Sequence, residues 1–79
     1  MPRVDLARAL AETMRTLRRD AGLTQYQLAK ALGISRPTLT RIENADQNVT
    51  LKTLRQICRA LGSDPGDLFK PGRVRLRKS

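Results

Sequence analysis

The chain has 79 residues, room for one domain and one core, and its 39% hydrophobic and 29% charged residues place it with globular rather than disordered sequences. Its only aromatic residues, Tyr26 and Phe69, exclude an aromatic core, and the single cysteine, Cys58, excludes an internal disulfide. Sixteen Lys and Arg against seven Asp and Glu give a net charge of +9, which favours a polyanionic partner, nucleic acid first. A ribosomal contact, a membrane-surface contact and a plain solvated surface are the alternatives that charge alone leaves open.

The charge is uneven. Residues 70–79 hold Lys70, Arg73, Arg75, Arg77 and Lys78 and no acid, whereas residues 1–69 hold the other 11 bases and all 7 acids and carry +4. No apolar run approaches the roughly 18 residues of a membrane span, so no membrane partner is expected. Asp5 falls where a secretory signal would begin its apolar stretch, and the reading is a cytoplasmic protein.

In chain order, five helices are expected and no strand before the tail. The first runs from about Val4 to Ala21, because Leu6, Leu10, Met14, Leu17 and Ala21 recur at spacings of four and three. Arg18 and Arg19 suit the negative end of its dipole, and Gly22 stops it. The second runs from Gln25 to about Leu32. Thr24 and Gln27 have the spacing of a capping box, and Leu23 with Leu28 forms a hydrophobic staple.

The third runs from Arg36 to about Asn44 behind a Ser35 cap, with Pro37 in the first turn, where a missing N–H has no intrahelical partner to lose. The fourth starts after Thr50, turns Leu54, Ile57, Cys58 and Leu61 inward, and stops at Gly62. The fifth is one or two turns long, capped by Asp64 with Pro65 at its first position, and it buries Leu68 and Phe69. The tail follows Pro71-Gly72. The domain is thus residues 1–69, with a basic tail at 70–79.

Residues 23–44 read as two short helices joined by a turn that pivots on Gly33. Ala29 stands where the helices cross, and Ile34 plugs the turn. That is the length and pattern of a helix-turn-helix, whose second helix can lie in the DNA major groove. Because Leu39 and Ile42 face inward, the opposite face of the third helix carries Arg36, Pro37, Thr40 and Arg41. The two arginines suit guanine O6 and N7, and Pro37 offers apolar contact, for example to a thymine methyl. Ser35, Thr38, Thr40 and Asn44 are phosphate candidates, contacts that set register but carry no sequence information.

The segment from about Leu17 to Phe69 resembles the phage-repressor and Cro-like (XRE-type) helix-turn-helix family. The resemblance rests on Leu-Thr-Gln at 23–25, Leu-Ala at 28–29, Leu-Gly-Ile-Ser at 32–35, Ile-Glu-Asn at 42–44 and Leu-x-x-Ile-Cys-x-Ala-Leu-Gly at 54–62. Ala45-Asp46 stands where the family usually has Gly. The resemblance implies an all-α, compact five-helix fold and base contacts from positions 36, 37 and 41. It also implies a phosphate contact from Gln25, which braces the recognition helix, and a partly buried structural ion pair between Arg18 and Glu43.

It further implies a homodimer, formed through the fourth and fifth helices, on a pseudo-palindromic operator of double-stranded DNA, as a repressor or autoregulator. Small domains of this type also resemble antitoxins, which bind a toxin protein and their own promoter, and restriction–modification controller proteins. Non-specific nucleic-acid or RNA binding is a third class. The alternating tail Arg73-Val74-Arg75-Leu76-Arg77 is open to three readings: an edge strand in a dimer, an arm on phosphates, or a solvated terminus.

An enzyme is not expected, since there is no histidine, no metal-ligand cluster and no nucleophile with an obvious base. No cofactor is expected either. Cys58 reads as a small core residue.

Overall fold

Every α-helix begins where a short polar side chain holds one of its free N–H groups. The structure, a computed structural model, describes residues 5–76. The elements are α1 (Leu6–Ala21), α2 (Gln25–Leu32), α3 (Arg36–Glu43), α4 (Leu51–Leu61) and a 3-10 helix over Pro65–Phe69. Asp5 caps α1 by accepting from the Arg8 amide at 3.0 Å. Thr24 and Gln27 form the reciprocal capping box of α2, at 3.1 and 2.9 Å. Ser35 and Thr50 accept from the amides of Thr38 and Thr53, each at 3.1 Å.

The helix ends share one device. At Gly22, Gly33 and Gly62 the backbone is left-handed, and the next amide reaches back to the carbonyl five residues earlier. The end of α3 repeats this with no glycine. Ala45 has φ 58°, its N–H donates to the Ile42 carbonyl, and the Asp46 N–H donates to the Arg41 carbonyl at 3.0 Å. The departure at 45–46 therefore leaves the turn in place and puts a Cβ into left-handed backbone.

Among the described residues there are four α-helices, not five, and no strand. The expected fifth α-helix is the five-residue 3-10 helix, and Asp64 makes no side-chain capping bond. Its bonds run from Asp67 N–H to the Asp64 carbonyl and from Lys70 N–H to the Asp67 carbonyl. Flanking prolines and Gly66 leave too few good helix formers for a full α-turn to propagate. Residues 77–79 lie outside the description, as do residues 1–4; Val4, expected at the start of the first helix, is among them.

The core is aliphatic and continuous. It joins Leu10, Met14 and Leu17 of α1, Leu28, Ala29 and Leu32 of α2, Leu39 and Ile42 of α3, and Ile57 and Leu61 of α4 to Leu68 and Val74. Burying each large side chain contributes about 2 kcal/mol. α1 packs on α3 and the 3-10 helix, and α2 packs on α3 and α4. Leu6 and Ala21, the ends of the expected stripe on α1, are exposed; Leu6 edges a surface groove shared with Val49, Leu54 and Phe69. In the other direction the core passes beyond Phe69: Val74 is only 3% exposed, and Leu76 packs against the same cluster.

Candidate nucleic-acid interface

One helix face does the positioning and the opposite face is left free. On the inner side of α3, Leu39 and Ile42 enter the core, and Glu43 is 5% exposed. A buried carboxylate must be matched by donors, and Glu43 is matched from three sides. Arg18 of α1 approaches it as a fork, with Nε 3.0 Å from Oε2 and Nη2 3.1 Å from Oε1. Gln25 of α2 donates its amide to Oε1 at 3.2 Å. Arg15 donates to the backbone carbonyl of Glu43, covering the negative end of α3. Arg18–Glu43 is the only ion pair among the described residues.

Gln25 and Thr40 belong to the same network. The Thr40 hydroxyl donates to the Gln25 carbonyl oxygen at 3.3 Å, and both residues are half-buried. One amide hydrogen of Gln25 goes to Glu43; the other has no acceptor among the described residues. The first turn of α2 and the last turns of α3 are thereby held to a common anchor.

On the outer side of α3, Arg36, Pro37, Arg41 and Asn44 are exposed. Neither arginine side chain makes a hydrogen bond or ion pair with a described residue. Ser35 is exposed, and its hydroxyl lies 2.7 Å from that of the half-buried Thr38 while also capping the helix. The structure thus groups Arg36, Pro37 and Arg41 on one outward surface. Thr40 stands on its flank towards α2 and Thr38 on the flank towards α4.

Several participants are not among the sequence-derived site residues. Arg15 is one. Gln56 of α4 is another: its side-chain N–H donates to the Leu32 carbonyl at 3.1 Å, tying α4 to the turn of the helix-turn-helix. Its Nε2 would lie 2.6 Å from a Cβ at position 33, so Gly33 serves close approach as well as left-handed backbone. Lys52, Arg55 and Arg59 also line the space beside that turn. Cys58 is half-buried against the core, and burial, aided by the nearby Asp64 charge, pushes its thiol up. That keeps it neutral, a packing group rather than a nucleophile.

The geometry is that of the second helix of a helix-turn-helix, anchored by hydrogen bonds on one face, with its polar face turned outward. The model of the helix-turn-helix domain family matches residues 9–69, and the chain belongs to that family. It is 40% identical over 52 residues to antitoxin HipB of Escherichia coli K12, an alignment covering 66% of this chain and 59% of HipB. It is 37% identical over 60 residues to the control protein C.SmaI of Serratia marcescens, covering 76% and 71% of the two chains. Among solved structures, a hypothetical transcription factor from Neisseria superposes with TM-score 0.69 at 27% identity, over 92% of this chain and 86% of that one. The clp gene regulator ClgR of C. glutamicum superposes with TM-score 0.61 at 32% identity, over 86% of each chain. No helix of the described residues is long and apolar enough to cross a membrane.

Proposed function

We propose that this protein is a sequence-specific, double-stranded-DNA-binding transcriptional regulator, a cytoplasmic repressor or autoregulator that reads the major groove with α3. Arg36, Pro37 and Arg41 read base edges, with Thr40 contributing its methyl group because its hydroxyl is held by Gln25. Gln25, through its remaining amide hydrogen, and Ser35, Thr38 and Asn44 engage phosphates and set register. Arg18 and Glu43 are structural, and the basic segment that follows residues 1–69 is fastened to that domain through Val74 and Leu76. The observation that carries this reading is the pairing of two exposed, unpartnered arginines with a helix whose other face is locked by a buried carboxylate.

A single α3 covers only a few base pairs, so the working form is a homodimer on a pseudo-palindromic operator. Selection of binding sites from random duplexes tests this. The expected product is an inverted repeat whose half-site centres lie about 10 base pairs apart; no enrichment over the starting pool would contradict it. A second reading, favoured by the likeness to HipB and C.SmaI, is an antitoxin that also binds a toxin protein, or a restriction–modification controller. Co-purification of a toxin-like protein with the untagged chain distinguishes the antitoxin.

A further inference from the structure

A second anion-binding surface lies beside the recognition helix. Helix α4 has the sequence Leu-Lys-Thr-Leu-Arg-Gln-Ile-Cys-Arg-Ala-Leu and contains no acid. Lys52, Arg55 and Arg59 stand at i, i+3 and i+7, so they share a face and extend over about 10 Å of helix. Like charges at these spacings repel and reduce stability. All three are exposed, and no described carboxylate forms an ion pair with any of them.

They do not point into open solvent alone. They form one wall of a groove of about 460 Å³ whose opposite wall is the turn of the helix-turn-helix, with the hydroxyls of Ser35 and Thr38. Gln56 lies between the walls and braces them through its bond to the Leu32 carbonyl. The groove is therefore concave and braced, with a mutually bonded hydroxyl pair that keeps one O–H free on one side and uncompensated cations on the other. Its Ser35 edge directly precedes Arg36.

From this we infer that the groove seats phosphates of the DNA backbone flanking the base pairs read by α3, with Lys52, Arg55 and Arg59 as its cationic wall. The inference rests on the DNA-binding reading above and extends the interface from α3 onto α4. The adjacency to Arg36 favours nucleic acid over an acidic protein segment: a strand in this groove is continuous with the one whose bases α3 would read. The groove touches backbone only, so it adds affinity without sequence preference.

The test compares the K52Q/R55Q/R59Q variant with the full wild-type chain on the selected site and on random duplex, across a range of salt. The expected result is weaker binding to both DNAs by a similar factor. The slope of log affinity against log salt should become shallower by about 0.9 for each phosphate no longer neutralised, roughly two to three in all. An R8Q/K30Q control, with charges removed elsewhere on the surface, should change the slope by less than one. Helicity by circular dichroism should be unchanged and the thermal midpoint equal or higher, since mutual repulsion is relieved. A wild-type slope and affinity in the folded triple variant would overturn the inference and assign the groove to an acidic protein surface instead. A wild-type chain that binds no duplex would remove the functional proposal itself, a failure visible before any variant is made.

Discussion

Two residues at the end of α3 show how local chemistry sets the site. Glu43 is spaced like a core residue, and it is buried like one, yet it is charged; three donor groups, two from Arg18 of α1 and one from Gln25 of α2, make that tolerable. Just beyond it, Ala45 occupies left-handed backbone at φ 58°, where an L residue with a Cβ is disfavoured by about 1–2 kcal/mol. Glycine there removes that strain but adds freedom to the unfolded chain, offsetting about 0.4–1 kcal/mol. Ala45→Gly should therefore raise stability by a net of about 0.5–1 kcal/mol. Thermal unfolding would report a midpoint higher by roughly 3–6 °C. A lower midpoint would mean that the turn is not strained at this position.

At the scale of the elements, the turn between α2 and α3 is held by Gly33 and Gln56 together. A Cβ at 33 meets both left-handed strain and the Gln56 amide, which must swing away and surrender its bond to the Leu32 carbonyl. Gly33→Ala should cost about 2–3 kcal/mol, the sum of strain and a broken hydrogen bond. Because Gln56→Ala already forfeits that bond, the double variant should lose about 1 kcal/mol less than the two singles added. Strict additivity in urea titrations would show that the two do not communicate.

This pair also marks what the sequence could and could not disclose. Gly33 as a stop, the caps at Thr24, Ser35 and Thr50, and the inward Leu39 and Ile42 are local signals, written within a few residues of where they act. Gln56 acts across 24 positions and Arg15 across 28, and no periodicity betrays such long-range bonds. The 3-10 geometry at Pro65–Phe69 is hidden for another reason: Asp-Pro spacing announces a helix start but not how many turns follow. The cationic stripe on α4 is visible as i, i+3, i+7 spacing without an acid, yet only the fold shows that it faces the turn.

For the molecule as a whole, the core closes over the segment that composition marks as a basic tail. Val74 is buried between exposed Arg73 and Arg75, so the segment up to Leu76 is fastened to the body by its apolar positions. Val74→Ala should lower stability by about 2 kcal/mol. An equal urea midpoint for the variant would show that this segment does not contribute to the cooperative core. The remaining cations lie outside that core with little compensation, which suits a protein meeting a polyanion over more than one helix.

Sequence-specific regulation requires the outward face of α3 to read bases. Affinities of the wild-type chain and of Arg36→Ala should be compared at one salt concentration, on the selected site and on random duplex. The expected result is a loss of about 1–3 kcal/mol, roughly 5- to 150-fold, on the selected site and little change on random DNA. Equal losses on the two would make Arg36 a phosphate contact and contradict the reading.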